Sequence, residues 1–131
     1  MIRIGVPKAF DEVAPYFNGA DVKKNLYMAV WDDDRMLAAA RFKYKDGVVS
    51  VFEIKEIADK VPGAVLDGLV RNVLFQTADA GCEVCRFYDF PERMRGYFDN
   101  HGFEQRGDYL GLDAYVDEFF KPCPGCAHGD Q

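Results

Sequence analysis

Short extended runs rich in hydrophobic residues follow one another in the first half of the chain. A short run, "IRIGV" (2–6), is followed by "NLYMAVW" (25–31), "MLAAARFKYK" (36–45) and "VVSVFEIKEI" (48–57). The polar links "DDDR" and "KDG" between the last three runs are typical of hairpins. The pattern predicts one strand and then an antiparallel three-stranded meander. In the run 48–57, alternation puts Val49, Val51, Glu53 and Lys55 on one face and Val48, Ser50, Phe52 and Ile54 on the other.

Two segments have the period of a helix instead. Between Pro7 and Phe17, apolar residues at Phe10, Val13 and Phe17 predict a helix that Pro15 kinks or restarts. From Pro62 to Ala80 the apolar residues form a broad stripe that predicts a long helix, with Gly81 as its C-terminal stop. The stripe contains Val65, Leu66, Leu69, Val70, Val73 and Leu74.

The last third of the chain alternates between strands and helices. It predicts a strand at 83–90, a helix from Pro91 to Gly102, a strand over about 103–112 and a short helix at 113–120. A strand–helix–strand crossover after a meander makes the strands on either side of the long helix parallel neighbours. The predicted fold is therefore mixed α/β (α+β), with a mostly antiparallel central sheet flanked by helices. We expect one domain over residues 1–120 and a cysteine-containing tail over residues 121–131.

Composition narrows the class of protein. The chain has 131 residues, of which 49% are apolar and 15% aromatic, and this is enough packing material for one folded domain. The net charge of −6 and the lack of a long basic run argue against nucleic acid as a partner. We expect no membrane contact and a cytoplasmic location, because the chain shows neither a membrane span nor a signal peptide. The oligomeric state stays open.

One local motif adds a family resemblance. In "RGYFDNHGFEQRG" (95–107), Phe98 is followed after three residues by Gly102 and Phe103. This spacing and the order of elements are similar to those of the GNAT superfamily of acyl-CoA N-acyltransferases. The resemblance implies that acyl-CoA lies where the fourth and fifth strands splay apart. It also implies that the pyrophosphate rests on the turn that opens the long helix.

The resemblance assigns that turn to residues 60–69 and implies that the backbone of Val61, Gly63 and Ala64 binds acetyl-CoA. The turn departs from the family pattern, since Val61 stands at a basic or amide position and Pro62 replaces a glycine. Pro62 also removes one amide donor. A different interpretation is that Pro62 simply opens the helix at its first position.

The implied activity is transfer of an acetyl group from acetyl-CoA to a primary amine of a small molecule or protein. Glu53 and Glu56 stand where the superfamily often keeps a carboxylate that accepts the proton of the amine. Phe98 stands where many members have a tyrosine that protonates the thiolate, and Tyr97 should point about 100° away. The competing hypothesis is an inactive binding module that has kept this fold.

Four cysteines form two CxxC pairs, Cys82 with Cys85 and Cys123 with Cys126. Together they have the composition of a tetrahedral zinc site, although the two pairs are far apart in the sequence. In two other interpretations, Cys82 and Cys85 are small buried hydrophobic residues, or Cys123 and Cys126 form a redox dithiol.

Overall fold

The computed structural model describes residues 1–19 and 22–120, and in these residues it shows one seven-stranded sheet. The strands are β1 (Ile2–Gly5), β2 (Leu26–Asp32), β3 (Arg35–Lys45), β4 (Val48–Glu56), β5 (Val84–Asp89), β6 (Glu104–Arg106) and β7 (Tyr109–Leu112). The helices are α1 (Gly63–Asp79), α2 (Arg95–Asn100) and α3 (Tyr115–Glu118). Neighbouring strands follow the order β1-β2-β3-β4-β5-β7-β6.

The predicted fold class and strand pairing are confirmed. β1 to β4 form an antiparallel series, and the turn between β3 and β4 contains Asp46 and Gly47, both with positive φ. β4 and β5 are parallel and adjacent, with α1 as the crossover between them. β7 then pairs with β5 in the antiparallel sense, so that Leu112 lies opposite Cys85.

The apolar stripe of α1 packs on one face of this sheet and forms the main core. Leu66, Leu69, Val70, Val73 and Leu74 are buried there, as predicted, whereas Val65 is only partly buried. Gly68 allows α1 to approach β1 closely, because a Cβ atom there would lie 2.9 Å from Cδ1 of Ile4. None of the helices in the described ranges is both long and apolar enough to cross a membrane.

The N-terminal helix prediction is wrong in type. Phe10–Glu12 and Ala14–Tyr16 form two short 3₁₀ turns instead of an α-helix, and a third turn spans Val22–Lys24. Pro15 lies at the start of the second turn, which agrees with its expected role as a restart. Val13 and Phe17 are nevertheless buried against Tyr27, Ala29 and Trp31 on the second face of the sheet.

Two corrections concern the C-terminal third. The single strand predicted over 103–112 is a hairpin of β6 and β7, because Gly107 with φ of 66° turns the chain back. The terminal helix predicted at 113–120 is shorter, since α3 spans Tyr115–Glu118; Tyr115 and the following Phe119 are buried, whereas Val116 is 46% exposed.

A β-bulge at Phe52 corrects the predicted alternation along β4. Arg41 pairs with Glu53 and Phe42 pairs with Val51, so Phe52 is an extra residue in this strand. Beyond the bulge, Ile54 shares the buried face with Val49 and Val51. Phe52 and Glu53 both lie toward Arg41 on the opposite face.

Candidate functional site

The pairing of β4 with β5 stops before β4 ends, and we call the space between the carboxyl ends of these strands the groove. The last residue pair between these parallel strands joins Glu53 to Asp89. β4 continues beside β3 as far as Glu56, which pairs with Ala38. β5 ends at Asp89, and the chain turns through Phe90 and Pro91 into a 3₁₀ turn at Glu92–Met94. The two strands therefore diverge at their carboxyl ends, next to the start of α1.

Within residues 1–19 and 22–120, the first two backbone amides of α1 have no hydrogen-bond partner. Pro62 is the N-cap and forms no side-chain cap, and the first turn contains no acidic residue. Pro62, Gly63 and Ala64 are exposed. The first amides of a helix point outward and its dipole favours an anion, so this end suits a phosphate group. A Cβ atom added at Gly63 would lie more than 4 Å from any neighbouring atom, so close packing does not explain why this residue is glycine.

Val61 cannot present a side chain to a phosphate, because it is 2% exposed and belongs to the main core. Its carbonyl oxygen faces the groove and accepts a hydrogen bond from Nη2 of Arg93. Lys60, immediately before it, has φ of 53°, a left-handed conformation that turns the chain into the helix. The turn is not rich in glycine, and the side chain of Val61 is buried. The amides of Gly63 and Ala64 are nevertheless accessible, because the helix end is exposed.

Arg93 is a basic residue beside the groove that the sequence analysis did not identify. Its Nε donates to Oε1 of Glu56 at 2.8 Å, which links the end of β4 to the turn after β5. The side chain is 48% exposed, so the guanidinium stays accessible beside the first turn of α1. No local motif marks Arg93, because its two partners lie 37 and 32 residues away in the chain.

The two candidate bases lie on opposite faces of the sheet. Glu56 pairs with Ala38 on the face covered by α1. Glu53 pairs with Arg41 on the other face, and its carboxylate lies 3.7 Å from Nη2 of Arg41 and 4.0 Å from Nζ of Lys55. Glu53 belongs to the last β4–β5 pair, so it lies where the groove begins. The structure therefore places the two glutamates in different environments.

Side chains of α1 and α2 form a hydrogen-bonded contact between these two helices. The hydroxyl of Tyr97 donates to Oδ1 of Asp67, and Nε of Arg71 donates to both oxygens of the same carboxylate at 3.0 and 2.9 Å. Burial, the hydrogen bond to Asp67 and its charge raise the pKa of Tyr97. His101 packs on Tyr97 and Phe119, and burial and then Arg71 lower its pKa. Tyr97 thus points toward α1.

Phe98, which the resemblance compares with a tyrosine found in many family members, is fully buried. Its ring contacts Phe87, Phe90 and Phe103 with centroid distances of 4.7, 4.8 and 5.0 Å. It has no proton to donate and no access to the groove surface. Phe98 is therefore part of the core.

Only two of the four cysteines in the zinc hypothesis lie within the described residues. Cys82 and Cys85 are free, buried thiols, and burial raises the pKa of both. Cys82 precedes β5 and donates its backbone amide to the carbonyl of Thr77. Cys123 and Cys126 lie outside the described residues. Among residues 1–19 and 22–120, no group of three or more His, Cys, Asp or Glu side chains is arranged to hold a metal ion.

Comparisons with solved structures identify the class of fold. The ribosomal-protein-S18-alanine N-acetyltransferase from Escherichia coli has a TM-score of 0.70 at 12% identity, covering 87% of this chain and 94% of that one. A GNAT family acetyltransferase from Brucella melitensis in complex with acetyl-CoA has a TM-score of 0.59 at 15% identity, covering 98% and 97%. The N-acetylglutamate synthase from Neisseria gonorrhoeae, complexed with coenzyme A and N-acetyl-glutamate, has a TM-score of 0.64 at 9% identity, covering 87% and 35%.

No protein-family model matches the sequence, and no curated protein matches it. The similarity is therefore one of structure at very low sequence identity. The chain has the GNAT fold, as the order of elements and the Phe98, Gly102 and Phe103 motif predicted.

Proposed function

We propose that the protein transfers an acetyl group from acetyl-CoA to a primary amine of a small molecule or a protein. The observation that carries the proposal is the divergence of parallel strands β4 and β5 beside an exposed helix end. This arrangement provides both a slot for an extended ligand and a set of amides for its phosphates. The structures similar to this one include proteins solved with coenzyme A or acetyl-CoA.

The backbone of Gly63 and Ala64 and the side chain of Arg93 are the groups that fit the pyrophosphate. The amides provide hydrogen bonds and the guanidinium provides positive charge. In this proposal Arg93 supplies the basic side chain that the family turn often carries at the position of Val61. When bound, acetyl-CoA supplies the acetyl group as a thioester.

Glu53 is the residue proposed to accept the proton of the attacking amine. Its carboxylate lies at the start of the groove on the face opposite α1, so the amine and acetyl-CoA would approach from different faces of the sheet. Glu56 is not proposed as the base, because its carboxylate is engaged with the guanidinium of Arg93. Since Phe98 carries no proton, the leaving thiolate takes its proton from water.

The test combines calorimetric titration with acetyl-CoA and a CoA-release assay on a panel of primary amines. We expect micromolar binding, turnover with at least one amine, and a loss of about 10²-fold or more in kcat for Glu53→Gln. The Michaelis constant for acetyl-CoA should stay unchanged, because Glu53 does not touch the phosphates. Glu83→Gln, an exposed substitution before β5, is the matched control and should keep full activity. Equal activity of Glu53→Gln and the parent protein would refute this role.

The same contacts support a second candidate, a binding module without acyl-CoA. Arg93 reaches across the groove to Glu56 and Val61, and Tyr97 joins α2 to α1 through Asp67. Both contacts fill space between elements that a cofactor would separate. If titration shows no heat with acetyl-CoA or CoA and no amine is acetylated, this candidate is favoured.

A further inference from the structure

The sheet face opposite α1 carries a row of aromatic rings on adjacent strands. Phe52 of β4 lies 5.9 Å from Tyr88 of β5, and Tyr88 lies 5.2 Å from Tyr109 of β7, measured between ring centroids. All three side chains are partly exposed, and none belongs to either core cluster. Aromatic rings in a row on a sheet surface form a platform on which a planar group stacks.

A positively charged depression lies directly beside this aromatic row. It has a volume of about 280 Å³, and its lining includes Lys43, Lys45, Ser50 and Arg86. Ser50 and Arg86 are paired across β4 and β5, two residues before Phe52 and Tyr88. Lys43 Nζ lies 5.8 Å from the Phe52 ring centroid, and Arg86 Cζ lies 5.1 Å from that of Tyr109. The charged and aromatic parts therefore form one continuous surface.

The local charge is opposite to that of the whole protein. The chain has a net charge of −6, yet the lining of this depression contains three cations and one carboxylate, Asp46. Within the described ranges these three cations form no ion pair, whereas Arg41 and Arg106 on the same face are paired with carboxylates. Unpaired cations around a hydroxyl group suit an oxyanion such as a phosphate.

We propose that this face binds a small ligand of the mononucleotide class, in which a phosphate is joined to a planar ring. The phosphate is held by Lys43, Lys45, Arg86 and the hydroxyl of Ser50, and the ring stacks on Phe52 and Tyr88. One strand step of two residues, about 7 Å, separates the Ser50–Arg86 pair from the rings, which matches the span from a 5′-phosphate to a base. Acetyl-CoA would not occupy this site, because the amides proposed for it lie at the start of α1 on the opposite face.

The test is a nuclear magnetic resonance titration of the ¹⁵N-labelled protein with adenosine 5′-monophosphate. Ribose 5-phosphate, which lacks the ring, and coenzyme A serve as comparison probes. We expect the monophosphate to shift the amides of Lys43, Ser50, Arg86 and Tyr88, and ribose 5-phosphate to bind more weakly at the same place. Shifts confined to Gly63 and Ala64, or equal affinity for the two phosphates, would overturn the proposal.

Two variants separate the charged part from the aromatic part. Arg86→Gln should raise the Kd for adenosine 5′-monophosphate about three- to tenfold, the effect of one charged hydrogen bond at an exposed site. Tyr88→Leu should lower the affinity for adenosine 5′-monophosphate to that for ribose 5-phosphate. The affinity for ribose 5-phosphate itself should not change. Arg35→Gln, at the other end of β3, removes the same charge and should have no effect.

The outcome is independent of the acyltransferase proposal. Binding of acetyl-CoA at α1 without binding of the monophosphate at β4 and β5 would remove only this inference. If Arg86→Gln and Arg35→Gln weaken binding equally, the attraction is non-specific and the site is refuted. Affinity for single-stranded oligonucleotides that increases with their length would also overturn the assignment to a mononucleotide.

Discussion

Phe98 shows how a single residue can serve packing at a position where chemistry was expected. It is completely buried, and its ring touches Phe87 of β5, Phe90 of the following turn and Phe103 after α2. These contacts pack α2 against β5, an interior strand of the sheet. The side chain at this position thus determines where the groove wall lies, without entering the groove.

Replacing Phe98 with tyrosine should destabilise the protein instead of creating an acid. The added hydroxyl would be buried among aromatic rings, and an unsatisfied buried hydroxyl costs about 1–3 kcal/mol. We expect the free energy of unfolding in urea to fall by that amount, with the m-value unchanged.

Phe75→Tyr is the matched control for this substitution. Phe75 is 68% exposed, so a new hydroxyl there stays in water and should change the free energy of unfolding by less than about 0.5 kcal/mol. A Phe98→Tyr protein as stable as the parent and more active in CoA release would show that the new hydroxyl reaches the groove. That result would contradict the packing role.

At the scale of elements, a buried hydroxyl pair joins the end of α1 to α3. The hydroxyl oxygens of Thr77 and Tyr115 lie 2.6 Å apart, and both residues are almost completely buried. Thr77 also lies 2.8 Å from the carbonyl oxygen of Val73, to which it donates. The backbone amide of Tyr115 donates to the carbonyl oxygen of Glu83, just before β5. These bonds position a helix of only four residues, which has little stability of its own.

The two residues of this pair should respond differently to removal of the hydroxyl. Tyr115→Phe leaves Thr77 bonded to Val73, so we expect a loss of about 1 kcal/mol in the free energy of unfolding. Thr77→Val leaves the buried hydroxyl of Tyr115 without its partner, so we expect a larger loss, up to about 3 kcal/mol.

Urea denaturation of both single variants and of the double variant measures this difference. The double variant should be less destabilised than the sum of the two single variants, because it leaves no hydroxyl unpaired. Additive effects would indicate that the two hydroxyls do not interact in solution.

At the scale of the whole molecule, the sequence predicted those parts that depend on local patterns. The stripe of α1, the meander and the parallel crossover follow from periodicity and from rules of chain connection. The bulge at Phe52 was missed because Phe52 and Ile54 are both apolar, so that unbroken alternation with these two residues on one face also fitted the run. The β6–β7 hairpin was missed because the run 103–112 was interpreted as continuous, although Gly107 and Asp108 form its turn.

The candidate site also has one part that the sequence predicted and one part that it did not. Gly63 and Ala64 were expected at the start of α1, and they lie there because a helix start has a local signal in Pro62. The role of Arg93 depends on contacts between the end of β4 and the turn after β5, and a single sequence carries no record of such pairs. Long-range charge pairs of this kind are therefore the part of the site that only three-dimensional structure supplies.

Arg93 connects the two halves of the sheet, so its variants test how the whole molecule would hold acetyl-CoA. Arg93→Ala removes the cation beside the exposed amides of α1 and should weaken acetyl-CoA binding about tenfold in calorimetric titration. Glu56→Gln removes the carboxylate that competes with the phosphates for the same guanidinium, so it should leave the affinity equal or increase it. If Arg93 only closes the groove, Arg93→Ala should instead bind acetyl-CoA more tightly than the parent protein does. Arg95→Ala, an exposed arginine two residues further along at the start of α2, is the control and should bind as the parent does.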